Sequence, residues 1–215
     1  MFSRKKILQL IGVDAWHMRK QKEVVSEVIS SDPNSWEILK KEINTCELCS
    51  LHQTRTQTVF GVGDPNADWL FIGEAPGKDE DAQGEPFVGR AGRLLNEMIF
   101  SLDLCREEIF IANILKCRPP NNRDPKASEV DQCFSYLEQQ VQLIEPKIII
   151  AVGKVAAQNL LGTDQTMSQL RGRVHYFGAI KIPLVVFYHP AYLLRSPSQK
   201  PKAWQDLILA KQMIS

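Results

Sequence analysis

Four short runs rich in Ile, Val, Leu and Phe punctuate the middle and end of the chain: Trp69–Ile72, Ile109–Ile114, Lys147–Val152 and Leu184–Tyr188. Each is continuous rather than alternating. That pattern belongs to strands covered on both faces, as in a parallel sheet. Between them, apolar positions recur every three or four residues. This predicts helices over Ala91–Leu102, Lys126–Ile144 and Lys154–Leu161, with Lys202–Ile214 closing the chain. The punctuation agrees. Asp124 is placed to cap the Lys126–Ile144 helix, Pro125 to open it and Pro146 to lie just past its end. Gly162 suits the C-terminal stop of Lys154–Leu161. Strands alternating with helices predict an α/β fold with a parallel sheet covered on both faces.

Upstream, Ile7, Leu10, Ile11, Val24, Val25, Val28 and Ile29 are spaced for one or two amphipathic helices within residues 1–31. Arg4, Lys5, Lys6, Arg19, Lys20 and Lys22 fall on their polar faces. Ser31-Asp32-Pro33-Asn34 reads as a break, and a short helix follows from Ser35 to Cys46. The expected organisation is a helical N-terminal extension, residues 1–40, and a main domain, residues 41–215.

Charge adds a restriction. The 215 residues carry 26 Lys plus Arg against 25 Asp plus Glu, a formal net charge of +1. Any binding to nucleic acid must then rest on local basic patches. No apolar run approaches the ~20 residues of a membrane span. The apolar stretch near the start, Ile7 to Val13, is short, Asp14 ends it, and no small-residue cleavage site follows. The expectation is a cytoplasmic monomer without membrane association.

Five cysteines, an odd number, argue against a disulfide framework. Cys46 and Cys49 form a Cys-x-x-Cys half-site. Cys117 and Cys133 supply the other half, from the loop after the second strand and from the next helix. Four thiolates fit either zinc or a [4Fe–4S] cluster, and their spacing does not separate the two. Cys105 lies outside this set and reads as a structural thiol.

All four strands exit into unusual sequence. In a parallel sheet, ligands bind beyond the carboxyl ends of the strands. The first strand runs into Gly73 and the acidic loop GEAPGKDED, residues 73–81. Glu74 there can orient water or stabilise a developing cation. His189 ends the fourth strand, where a neutral imidazole can donate to a carbonyl oxygen gaining negative charge. Asn113 ends the second, and its amide offers both a donor and an acceptor to a nucleobase edge. Phe87 can give a planar ligand a stacking floor. Lys116, Arg118, Arg123, Lys126, Arg171, Arg173, Arg195, Lys200 and Lys202 gather in the same loops, as a phosphate-tracking rim requires.

The combination of GEAPGKDED at 73–81, PFVGRAG at 86–92, NILKCRPPNNRDP at 113–125 and HPAYLLR at 189–195 resembles the iron–sulfur uracil-DNA glycosylases, the fourth family of that superfamily. The likeness runs from about Thr45 to Met213, and the cysteine pattern shares in it. It implies a three-layer α/β/α sandwich around a four-stranded parallel sheet. It implies that Cys46, Cys49, Cys117 and Cys133 hold a structural [4Fe–4S] cluster. The implied reaction is hydrolysis of the N-glycosidic bond of deoxyuridine in DNA. On the substrate side, Gly73 would lie against the base, Phe87 would stack on it, Asn113 would bond its polar edge and Glu80 would crowd C5. His189 would face O2, and Glu74 would position water. Tyr192, Leu193 or Leu194 would fill the vacated stack. Arg118, Arg171 and Arg195 would meet the DNA. Ala75 stands where well-known relatives carry a water-activating Asp, so that task falls to Glu74. The loop after Asn113 has no His and no long insertion, which predicts turnover rather than a covalent trap. Two other readings compete: a non-catalytic nucleic-acid-binding module with a zinc site, and a nucleotide hydrolase binding Mg²⁺ through Asp79, Glu80 and Asp81. The latter is disfavoured because adjacent side chains rarely converge on one ion and no P-loop accompanies them.

Overall fold

A computed structural model of the chain describes residues 34–214. The amphipathic helices expected within residues 1–31 lie outside the described residues. The first described helix, α1 (Ser35–Asn44), matches the expected short helix and buries Leu39 and Ile43 in the core.

The four apolar runs are β2 (Trp69–Gly73), β3 (Phe110–Asn113), β4 (Ile148–Val152) and β6 (Ile182–Phe187). They pair in parallel in the order β3-β2-β4-β6. The sheet is larger than the four strands expected. Two edge strands, β1 (Val62–Gly63) and β5 (Val174–Phe177), pair antiparallel with β3 and β6 and bring the described sheet to six. Neither has a continuous apolar run to betray it. β1 is two residues long, and β5 keeps three of its four residues at least partly exposed.

Alternate strand residues point to opposite faces, and two separate cores result. On one face, Leu70, Ile72, Phe110, Ala112, Ile149, Ala151, Leu184 and Val186 pack beneath α1, α4 (Ala127–Ile144) and α5 (Lys154–Leu161). On the other, Phe71, Ile111, Ile148, Ile150, Val152, Val185 and Phe187 pack beneath α3 (Arg90–Phe100), α7 (Pro190–Arg195) and α8 (Lys200–Gln212). This is the expected three-layer α/β/α sandwich.

Two expectations about helix α4 divide. Pro146 does lie just past its end, and Glu145 there takes a left-handed conformation, φ 50°. Asp124 does not cap its start, however. The cap is Lys126, whose backbone N–H donates to Glu129 Oε2 at 2.9 Å. Pro125 correspondingly precedes the helix instead of opening it. Gly162 ends α5 as expected, at φ 59°. The acidic stretch Lys78–Gln83 forms a helix of its own, α2, and Met167–Leu170 a short α6.

Candidate active site

The carboxyl ends of β2, β3 and β6 deliver Gly73–Glu74, Asn113 and Tyr188–His189 to one rim. A cleft of about 570 Å³ opens there. Glu74, Glu80, Phe87, Asn113, Asp124, His189, Tyr192 and Arg195 line it. The structure therefore brings together seven of the expected site residues, with Gly73 directly beneath.

Gly73 and Asn113 are register partners across β2 and β3. The ladder continues past the strand ends, where Ile114 N–H donates to Gly73 O at 2.9 Å and Leu115 N–H to Glu74 O at 3.0 Å. A Cβ on residue 73 would lie 2.4 Å from Asn113 Oδ1 and 2.7 Å from Phe87 Cζ. Glycine is thus required for those two side chains to close over the strand end. Asn113 is only 2% exposed. Its Oδ1 is buried without any hydrogen-bond partner. A buried acceptor left unpaired costs roughly 1–3 kcal/mol. Such an atom at a cleft wall is poised for a ligand donor.

Phe87 holds a left-handed backbone, φ 54°. Four contacts enforce it. Val88 N–H and Gly89 N–H donate to Glu80 Oε1 at 3.1 and 3.3 Å. Arg106 donates to the Pro86 carbonyl. Gly92 lets the Phe87 carbonyl approach where a Cβ would lie 1.7 Å from its oxygen. The ring is buried and tilted 31° to the His189 ring, with centroids 5.7 Å apart. Glu80 thus ties down the loop that carries Phe87.

His189 caps the N-terminus of α7. Its Nδ1 accepts from Ala191 N–H at 3.1 Å. An accepting Nδ1 carries no proton, so the neutral ring bears its hydrogen on Nε2. Burial, and then Arg195, pull its pKa down to about 4. The imidazole is therefore an uncharged donor at neutral pH. Gly153, at φ 92°, leaves space for it, since a Cβ there would stand 2.9 Å from His189 Cβ.

Glu74 is half-buried. Desolvation, and then the charge of Asp124, push its carboxyl up to about 7. Asp124, expected only as a helix cap, is thereby a functional neighbour that the sequence reading missed. The one available signal was its place in a polar run directly after the cysteine loop. Its neighbour Arg123 forms a two-point pair with Glu129, at 2.9 and 2.6 Å.

The expected DNA-facing residues separate. On α7, Leu193 is fully buried, whereas Leu194 is exposed and Arg195 stands at the cleft. Tyr192 packs on Tyr188, centroids 4.9 Å apart. Arg118 Nε donates to Asn122 Oδ1 at 2.7 Å. Arg171 is paired with Asp206 at 2.5 Å, donates to Lys202 O and lies over the Tyr188 ring at 4.3 Å. Lys116 does not belong to a basic surface at all: it is 1% exposed.

Cys46, Cys49, Cys117 and Cys133 line a second cavity, with Arg55, Lys116 and Tyr136. None is in a disulfide. Arg55 donates to Cys117 Sγ at 3.2 Å and Lys116 N–H to Cys133 Sγ at 3.3 Å. Among the described residues, no three His, Cys, Asp or Glu side chains stand close enough to hold a single ion. Cys105 is exposed, apart from this group.

Residues 60–208 match the Uracil DNA glycosylase superfamily. The chain is 45% identical over 172 residues to the type-4 uracil-DNA glycosylase of Archaeoglobus fulgidus, covering 77% of this chain and 86% of that protein. It is 42% identical over 180 residues to that of Sulfurisphaera tokodaii, covering 80% and 82%. It is 37% identical over 177 residues to that of Pyrobaculum aerophilum, covering 80% and 90%. No described helix is long and apolar enough to cross a membrane. With a cleft bounded by Glu74, Asn113 and His189 and relatives matched over most of its length, the chain belongs to the uracil-DNA glycosylase superfamily and, within it, to the type-4 uracil-DNA glycosylases.

Proposed function

We infer that this protein hydrolyses the N-glycosidic bond of deoxyuridine in DNA, releasing uracil and leaving an abasic site for repair. The observation that carries this is the unpaired Asn113 Oδ1 buried beside a histidine fixed as a neutral donor. Uracil offers complementary groups: an N3–H donor for that oxygen and carbonyl oxygens for the amide and for Nε2–H.

The base leaves as an anion. His189, donating from Nε2 near O2, stabilises the charge as it develops, an effect typically worth ~3 kcal/mol. The sugar becomes cationic as the bond breaks. The Glu74 carboxylate lies at the mouth of β2, where it can stabilise that charge and orient the attacking water. Phe87 gives the flipped base a stacking surface. Glu80 serves the site by holding the Phe87 loop, and its side chain crowds the C5 edge where thymine carries a methyl. Flipping the nucleotide costs a few kcal/mol. Leu194, the exposed member of the expected wedge, fills the gap in the stack, with Tyr192 beside it. Arg195, Arg118 and Arg171 are the proposed contributors to DNA affinity. Of these, Arg195 has the most direct geometry at the cleft, and Arg171 acts from beneath the surface through Tyr188.

Cys46, Cys49, Cys117 and Cys133 would hold a [4Fe–4S] cluster, whose chemistry here is cross-linking of three chain segments. The donor set fits: four thiols outside any disulfide line one cavity, and Arg55 and a backbone amide donate to two of the sulfurs, as the thiolates of a cluster require.

The test is strand cleavage after alkali, in EDTA, on oligonucleotides carrying U opposite G, U opposite A, unpaired U or T opposite G. Cleavage confined to uracil strands and lost in Glu74→Gln is the expected result. No cleavage by protein with its full iron content would turn the reading toward a non-catalytic DNA-binding module.

A further inference from the structure

Between the uracil cleft and the four-cysteine cavity lies one short segment, Asn113-Ile114-Leu115-Lys116-Cys117, and every residue of it is buried. One end carries Asn113, whose Oδ1 is unpaired, and the other a cysteine of the cavity. Lys116 touches both sites. Its backbone N–H donates to Cys133 Sγ at 3.3 Å. Its Nζ turns back and donates to Asn113 O at 2.8 Å and to Gln140 Oε1 at 2.5 Å. Gln140 is itself fully buried and donates to Phe60 O at 2.9 Å. Lys116 O accepts from Val59 N–H at 2.8 Å. Every one of these partners is main chain, a cysteine, or a side chain pinned by main chain.

An ammonium group is rarely this buried, because desolvation is expensive unless its hydrogen bonds hold a needed geometry. The geometry held here is the peptide of Asn113. Fixing that carbonyl fixes the backbone from which the amide side chain projects. The same segment supplies the N–H groups of Ile114 and Leu115 that bond Gly73 O and Glu74 O. Both polar walls of the cleft therefore hang on it.

We propose that Lys116 is a positioning residue that couples the four-cysteine centre to the uracil-reading amide of Asn113, so that order at the cysteines sets the orientation of the base-binding wall. It touches no substrate atom. The proposal rests on the functional reading above.

The test is Lys116→Met, purified with its metal. Three quantities are read: iron per chain, inhibition by free uracil, and affinity for DNA holding an abasic-site analogue. Hydrogen exchange of the Ile114 and Leu115 amides is a fourth. The expected result is uracil inhibition weakened about tenfold. Iron content and abasic-DNA affinity stay those of the wild type, and both amides exchange faster. Unchanged uracil inhibition and unchanged exchange overturn the proposal. So does joint loss of iron, uracil inhibition and abasic-DNA affinity, which a merely stabilising lysine would produce. If Lys116→Met does not fold, Gln140→Leu removes the second anchor of Nζ and is judged by the same measurements, with a smaller effect expected. A wild-type protein that neither cleaves uracil DNA nor responds to uracil refutes the functional reading instead, and the exchange measurement still judges the coupling.

Discussion

Glu74 gives the sharpest quantitative expectation. Its carboxyl is raised to about 7, by burial first and Asp124 second. The proposed role needs the ionised form. At pH 5 a carboxyl with that midpoint is about 1% ionised, whereas one at the ordinary 4.5 is about three-quarters ionised. The direction follows: activity is full above the midpoint and is lost as pH falls through it. The rate at pH 5 should be about a hundredfold below its alkaline plateau, against barely a quarter lost for an unperturbed Glu. The assay is kcat/KM on a labelled U·G duplex from pH 5 to 9 at constant ionic strength, because DNA affinity varies steeply with salt. Asp124→Asn removes the second cause and leaves the first. Its profile should shift to lower pH without reaching that of an exposed carboxylate. A wild-type rate that is flat between pH 5 and 8 would refute the assignment of Glu74. A midpoint indifferent to Asp124→Asn would refute the coupling of the two carboxyls.

Other expectations are briefer. Asn113→Ala deletes a buried acceptor that has no protein partner, so the urea midpoint should hold or rise while uracil release collapses; a stability loss above ~2 kcal/mol would mean the oxygen is satisfied within the fold. Arg171→Met leaves the nearly buried Asp206 carboxylate without its cation, with the Gly172 N–H still donating to it at 3.2 Å, and should cost about 3 kcal/mol in urea unfolding. If Arg171 also meets phosphate directly, the salt slope of DNA binding should fall as well, and an unchanged slope would confine it to its place beneath Tyr188. Cys117→Ala should lower both iron content and thermal midpoint, with iron read by metal analysis; full iron in that variant would remove Cys117 from the ligand set.

The central sheet was legible because parallel strands buried on both faces must be apolar throughout, and Ile148–Val152 has no other reading. Edge strands carry no such demand, which is why Val62–Gly63 and Val174–Phe177 were silent. Helix α2 was hidden for another reason. Its sequence KDEDAQ has no apolar stripe, and it is held by its capping geometry and by Thr56, whose N–H and hydroxyl bond Asp81 at 2.9 and 2.7 Å. The site residues at strand ends were visible because topology brings strand ends together. Their supports were not. Asp124 beside Glu74, Arg106 beneath Pro86 and Gln140 beside Lys116 are contacts between distant segments, and sequence spacing carries no trace of them. Lys116 misleads most, since lysine chemistry says surface and only the packed structure says otherwise. That Leu193 is buried and Leu194 exposed depends on the rotation of a six-residue helix, which sequence spacing does not give.

The tautomer of His189 is written into the main chain. The group that selects it is the N–H of residue 191, not a side chain. Almost any substitution at 191 preserves that amide, and proline alone deletes it. The group proposed to donate to the leaving base thus has its proton placed by the backbone and not by a side-chain partner that a substitution could remove. The position of one hydrogen atom is inherited with the fold.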